Sequence, residues 1–287
     1  MKPLIDGDIF LYEVGWGAET GWKAVKGWVK GDEPLDPPPF DYVAELLDNK
    51  IADICGKVFA SSPPTIFISG KDNFREQIAK KKGYKENRAD VVKPFHYANI
   101  KAYLQTRYEC IVVDGMEADD AMCIEQMKGF MPFPHHNHTI ICSRDKDLKQ
   151  CPGWQYSWEL NKQPEWGPFF VSGFGEIELA KDRKKIVGHG EKFFYSQMLT
   201  GDVVDNVPGV PGMGAVGAYE LLVDTQTSLE AEEAVAEAYR GFYGDSWREE
   251  MLEQGQLLYM VRELDEEGKP IMWKMKNEDD NSRKPID

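Results

Sequence analysis

Basic residues are scarce in this chain of 287: 34 Lys and Arg stand against 49 Asp and Glu, a formal charge of −15. A uniformly acidic surface repels phosphate, which excludes simple non-specific coating of DNA and requires any polyanion contact to use locally placed cations. Cysteine is scarcer still. The five, at positions 55, 110, 123, 142 and 151, are odd in number and lack CxxC spacing. They exclude a disulfide scaffold and predict reduced core thiols rather than a metal or redox site. No run approaches the roughly 18 consecutive apolar residues of a membrane span. Ile111-Val112-Val113 is representative, strand-sized and flanked by charge. Asp6 and Asp8 break the first apolar run, so no signal peptide is read and the expected compartment is the cytoplasm. Internal repeats and low-complexity segments are also missing. What the chain does have is 42% hydrophobic residues, enough at this length to bury one large core or two modest ones without staples.

Leu4-Ile5 before Asp6-Gly7-Asp8 predicts a short buried strand that ends in an acid-bearing turn. Residues 15–39 are predicted as loop. They carry Trp16, Trp22 and Trp28, each preceded by Gly, among Lys23, Lys26 and Lys30, a pattern that favours packing of an irregular loop over stacking on bases. Val43, Leu47, Ile51, Ile54 and Val58 recur at steps of three and four and predict an amphipathic helix. Strands are predicted at 65–68, 110–113 and 139–142, with helices around Tyr97, Ile100 and Leu104 and from near Glu117. This alternation predicts an α/β fold, a parallel sheet covered on both faces. Beyond about residue 190 the pattern turns helical, through Phe193, Phe194 and Met198 and then around 215–223, 228–240 and 246–262. The expected division is an α/β lobe over 1–185 and a helical lobe over 186–287, with a mobile tail from Lys276.

The acids are not scattered. Three predicted strands end within a few residues of acidic clusters: Ile5 at Asp6, Val113 at Glu117-Ala118-Asp119-Asp120, and Cys142 at Asp145-Lys146-Asp147. Carboxyl ends of parallel strands converge on one crevice, and Asp202 with Asp205 adds an i, i+3 pair at the start of the helical part. Any one of these acids alone reads as solvated surface or as a favourable helix first turn. Eight brought together would repel unless hard, oxygen-preferring cations such as magnesium or manganese occupied the site. The chemistry such a site implies is phosphate-ester cleavage.

Met116-Glu117-Ala118-Asp119-Asp120, Ser143-Arg144-Asp145-Lys146-Asp147-Leu148 and Gly201-Asp202-Val203-Val204-Asp205-Asn206, in that order, resemble the acidic motifs of the 5′-nuclease (flap endonuclease) family. Val207-Pro208-Gly209-Val210-Pro211-Gly212-Met213-Gly214-Ala215-Val216-Gly217-Ala218 resembles its helix-three-turn-helix. The resemblance spans roughly residues 4–225 and looks closest to the bacteriophage 5′ to 3′ exonucleases. It implies a largely parallel central sheet with helices on both faces, a helical arch and a helical DNA-binding lobe. It implies two Mg2+ or Mn2+ ions, one near Asp6, Glu117, Asp119 and Asp120 and one near Asp145, Asp147, Asp202 and Asp205. The implied activity is hydrolysis from DNA 5′ ends, in duplexes or flaps, extending to RNA-primer removal from RNA–DNA hybrids. A K+ ion at the helix-three-turn-helix belongs to the same expectation. Asp8 and Asp114 lie outside the family positions and read as turn residues or outer-shell acids.

Lys71 to Lys93 is the only sizeable positive stretch, eight basic residues against four acidic, a local net of +4 that leaves −19 elsewhere. The resemblance makes it the arch, matched by Phe74-Arg75 and Tyr84-Lys85-Glu86-Asn87-Arg88. Lys85 and Arg88 are expected to stabilise charge developing on the scissile phosphate, Tyr84 to stack on an unpaired base, and Arg75 to contact DNA. Gly209, Gly212 and Gly214 are expected to let backbone amides approach a phosphate at a helix start. Two departures stand out. Val216 occupies a position where the family commonly has Lys, for which Lys181, Arg183, Lys184 and Lys185 are candidate substitutes. Gly70 stands where the family usually has Asp, with Asp72 the nearest acid in sequence. His135, His136 and His138 are metal-like in composition, but their Pro-rich loop argues against zinc. Two rivals remain: a haloacid-dehalogenase-type phosphatase with Asp6 as nucleophile, which explains neither Gly201–Asn206 nor the glycine-rich turn, and a non-catalytic DNA-binding scaffold.

Overall fold

The computed structural model describes residues 1–88 and 91–276. The Arg88 side chain and the tail expected to be mobile beyond Lys276 lie outside the described residues. Two compact units form, whose described residues fall within Met1–Asn73, Asp90–Leu148 and Pro152–Phe170 for the first, and Phe74–Ala89, Lys149–Cys151 and Val171–Asp287 for the second.

The first unit begins with β1 (Lys2–Asp6), α1 (Gly7–Val25), α2 (Phe40–Lys57) and β2 (Thr65–Asn73). In the second unit α3 (Phe74–Ile78) follows directly. The first unit resumes with α4 (Tyr97–Arg107), β3 (Glu109–Gly115), α5 (Ala118–Met127), β4 (Thr139–Cys142), β5 (Gly153–Ser157) and β6 (Trp166–Val171). The six strands form one sheet in the order β3-β2-β1-β4-β5-β6. The pairs β1·β2, β1·β4, β2·β3 and β4·β5 are all parallel. The apolar strand residues Ile5, Ile66, Ile68, Ile140 and Cys142 share a core with Phe10 and Leu11 of α1, Leu47 and Ile54 of α2, and Ile100 and Leu104 of α4. The α/β reading from strand and helix alternation therefore holds. The chain leaves β1 toward β2 on one side while β4 lies on the other, so the β1–β4 junction is a topological switch point, the place where open α/β sheets generally bind ligands.

Residues 15–25, predicted as loop, are helix. Phe10, Leu11, Val14, Gly15 and Ala18 form the buried stripe of α1, while only 26–39 is irregular. Glycine discounts helix propensity and so conceals this helix. Its role is close packing: a Cβ on Gly15 would overlap the Pro94 ring, and one on Gly21 would lie 2.8 Å from the Tyr42 hydroxyl. Trp22 lies against Tyr42, and Trp28 Nε1 donates to Glu33 O at 3.0 Å, so these two rings pack the loop as expected.

The second unit continues with the antiparallel hairpin of β7 (Glu176–Leu179) and β8 (Ile186–His189), then α6 (Gly190–Thr200), α7 (Ala215–Leu222), α8 (Ser228–Tyr243) and α9 (Trp247–Leu258). Phe193, Phe194, Met198, Tyr239 and Met251 centre its own core. Within the described part of the basic stretch, helix is limited to α3 and one 3-10 turn at Glu86–Arg88.

Cys55, Cys110 and Cys142 are free, but Cys123 and Cys151 are disulfide-bonded. This corrects the expectation of five reduced thiols, because pairing is a tertiary property on which linear spacing carries no signal. His135, His136 and His138 are exposed. No helix among the described residues is long and apolar enough to cross a membrane.

Candidate functional site

β1 ends at Asp6, which is only 3% exposed and caps α1, its Oδ1 accepting from Asp8 N at 3.0 Å. Its other oxygen accepts from Ser143 Oγ at 2.8 Å. That hydroxyl in turn accepts from Asp145 N at 2.9 Å, so one buried side chain ties the ends of β1 and β4 together. Asp145 Oδ1 then accepts from Asp147 N at 2.8 Å. Arg144 fastens the turn from outside, donating to Trp158 O and to Gln163 Oε1.

A second knot is centred on Ser69 of β2. Its amide donates to the Asp8 carboxylate at 3.0 Å, its hydroxyl accepts from Ala118 N at 3.1 Å, and its carbonyl accepts from Lys101 Nζ at 2.9 Å. Glu117 is the N-cap of α5 and forms a reciprocal capping box with Asp120, which is fully buried. The favourable first turn expected of this motif is therefore real. It also fixes both carboxylates at the strand ends, beside Asp119.

Electrostatics mark the same place. Burial, followed by the charge of Asp8 and with Asp145 adding to it, pushes the Asp6 carboxyl up from 3.8 to about 7 against the opposing Ser143 hydrogen bond. Burial also raises Asp8, opposed by its bonds to Ser69 and by Lys101, while Glu117 adds to the rise. Burial first, and neighbouring negative charge after it, disfavours the ionised form of both carboxyls, a penalty that nearby positive charge would relieve.

In the second unit Asp202 and Asp205 are buried on one tight turn. Asp202 Oδ1 accepts from Val204 N at 2.8 Å, and Asp205 Oδ2 accepts from Tyr84 OH at 3.1 Å. Lys85 Nζ lies 3.9 Å from Asp205 Oδ1. Asn87 Nδ2 donates to Val203 O and Asn206 Nδ2 to Gly83 O, so the segment 83–87 is laced onto the acid turn. In sequence these two motifs lie about 120 residues apart, with nothing there to link them.

Three expected DNA contacts need correction. Arg75 is fully buried and donates to Leu257 O at 2.9 Å and Tyr259 O at 2.7 Å, which makes it a structural clamp. Tyr84 is 8% exposed, its ring in the second core rather than presented for stacking. Gly209 N donates to Gln254 Oε1 at 2.8 Å, and its carbonyl accepts from Tyr243 OH at 2.7 Å. A Cβ there would overlap Gly201, so close packing explains this glycine. Gly212, at φ +84°, and Gly214, the N-cap of α7, have open space around them. Lys181, Arg183, Lys184 and Lys185 project at the tip of the β7–β8 hairpin, exposed.

Ser69 and Lys101 stand in no motif of the sequence, and Ser143 stands in one without a role of its own. Small hydroxyls at strand ends give no signal, and a single Lys on a helix none either. Among the described residues no three His, Cys, Asp or Glu gather closely enough to enclose a metal ion. The donor set nevertheless fits magnesium in kind, since all are carboxylate oxygens and Mg2+ is commonly held by one or two carboxylates, with waters completing its shell.

The arrangement is that of an α/β protein with a largely parallel sheet and acids gathered at the strand ends of its switch point. No family model and no curated protein matches the chain. Among solved structures it is similar to a bacteriophage T5 flap endonuclease pseudo-enzyme–product complex with DNA and metal ions, at 14% identity and a TM-score of 0.48, covering 90% of this chain and 99% of that one. It is likewise similar to the T5 5′-exonuclease with bound zinc ions, at 15% identity and a TM-score of 0.47 over 90% and 99% of the two chains. These matches are a likeness of fold.

Proposed function

We propose that the protein is a divalent-metal-dependent 5′-nuclease that hydrolyses DNA from 5′ ends, in duplexes and flaps and with RNA primers within its range. The observation that carries this reading is Asp6, buried at the β1–β4 switch point with Asp8 and Asp145 beside it and its carboxyl pushed up to about 7. The ordered acidic motifs supply the reaction class. In the first unit Asp6, Glu117, Asp119, Asp120, Asp145 and Asp147 are the proposed cation ligands. Asp202 and Asp205 are proposed as ligands on motif order. Bound Mg2+ or Mn2+ would ionise a water, hold the scissile phosphate and neutralise the leaving oxygen.

The chain's own residues do the rest. Ser143 ties the Asp6 carboxylate to the backbone of Asp145, and the amide of Ser69 holds the Asp8 carboxylate. Lys85 and Arg88 are the proposed catalytic cations, stabilising charge on the phosphate as it reacts. The backbone at Gly212 and Gly214, with open space beside it, and the hairpin-tip cations are the proposed contacts to the DNA backbone, and K+ is the proposed ion of that turn. The proposed compartment is the cytoplasm, the host's if the protein is phage-encoded. The test is the variant Asp145→Ala/Asp147→Ala beside the parent. Loss of magnesium-dependent cleavage with DNA binding retained supports the reading. Tight binding by a parent that cleaves neither duplex nor flap would leave a scaffold.

A further inference from the structure

Gly70 lies near the carboxyl end of β2, and the space a side chain would take there is filled. A Cβ built on Gly70 would overlap Asp114 Oδ1 and lie 2.8 Å from Val113 O. Asp114 comes from the neighbouring strand β3, and its Oδ1 accepts from Lys71 N at 2.7 Å. The β2–β3 register shifts between Ser69 and Asn73, so residues 70–72 bulge out of the ladder. Bulges re-aim side chains where pairing ends. Asp72, the nearest acid in sequence, sits on this bulge at φ +59°, exposed. It is not the group that occupies the position of residue 70.

We propose that Asp114 supplies the carboxylate of position 70 at the cation site of the first unit, an anion moved from one strand to its neighbour. The inference rests on the nuclease reading above. Ser69 N holds Asp8 and Lys71 N holds Asp114, so two carboxylates are fixed on amides two residues apart near the end of β2. Ser69 Oγ meanwhile holds Ala118 N beside Glu117. Asp8, Asp114 and the α5 cap are thus all fastened to residues 69–71 of β2. Its role is that of a positioning residue, acting on the cation through the waters that complete its shell. Outer-shell partners of this kind typically change metal affinity by about 10- to 100-fold.

The alternative is that Asp114 merely caps the bulge. Asp114→Asn separates the two, because it keeps an acceptor for Lys71 N and removes only the charge. Manganese binding is measured on the full chain by calorimetry and electron paramagnetic resonance, with the unfolding midpoint checked alongside. The expected result is binding weakened tenfold or more by Asp114→Asn at an unchanged midpoint. Gly70→Asp combined with Asp114→Gly should return binding to within about threefold of the parent, because the charge then reaches the same place from β2. Parent-like binding by Asp114→Asn overturns the inference. Should Asp114→Asn fail to fold, the combined variant decides, and a folded combined variant with weakened binding also overturns it. A parent that binds no manganese overturns the nuclease reading itself, a distinct outcome.

Discussion

Asp6 makes the metal-free protein's stability depend on pH in the direction opposite to an ordinary paired carboxylate. Burial and then Asp8 raise its carboxyl from 3.8 to about 7. Between those values the folded protein holds a proton that the unfolded chain has released, so stability falls as pH rises through that window. A rise of about three units corresponds to on the order of 4 kcal/mol. About 3 kcal/mol of this lies between pH 5 and pH 8. Urea unfolding of the parent and of Asp6→Asn, both in chelator, isolates the term from the self-repulsion of a chain carrying −15. The parent should lose about 3 kcal/mol more than Asp6→Asn from pH 5 to pH 8. Adding Mg2+ at pH 8 should then stabilise the parent, by about 2.7 kcal/mol at a hundredfold excess over its Kd, and leave the variant nearly unmoved. Equal pH slopes for the two proteins would show that the Asp6 carboxyl is not raised in the folded state.

Ser143→Ala leaves a buried Asp6 oxygen and the Asp145 amide without their shared partner, and should cost about 1–3 kcal/mol in urea unfolding. Arg75→Ala should cost about 3 kcal/mol or more, and fluorescence anisotropy should find the affinity of the folded fraction for DNA unchanged. A clear loss of affinity would restore Arg75 to the DNA interface. Lys184→Glu/Lys185→Glu should flatten the dependence of log K on log salt by about 1.8 if both contact phosphate. An unchanged slope would make the hairpin tip bystander charge.

The elements that could be read from sequence are those whose side chains obey one period. Val43 to Val58 gave α2 at its full length, and Ile66 to Ile68 gave the buried start of β2. α1 was hidden because Gly15 and Gly21 are there for packing, which propensity counts as a cost. β5 was hidden because its buried positions include Gln155 and Ser157, satisfied by Leu148 O and Ser143 O, a polar core that alternation cannot reveal. The acids themselves were legible as clusters at strand ends. The serines that hold them were not, nor was the arrival of Asp114 at Gly70, which depends on a register shift between two strands. The basic stretch misled in the other direction. Arg75 and Tyr84 follow a DNA-contact pattern in sequence but are drawn into the second core by carbonyls at 257 and 259 and by Asp205.

The central claim is that this acid-rich chain uses divalent cations to cut DNA from the 5′ end. The most direct measurement is label release from one duplex labelled at its 5′ end in one sample and its 3′ end in another, with magnesium added last. The account predicts that the 5′ label leaves first, as mononucleotides and short oligonucleotides. It further predicts that calcium in place of magnesium abolishes release. Release of the 3′ label first, or equal release from both ends without added metal, would contradict it.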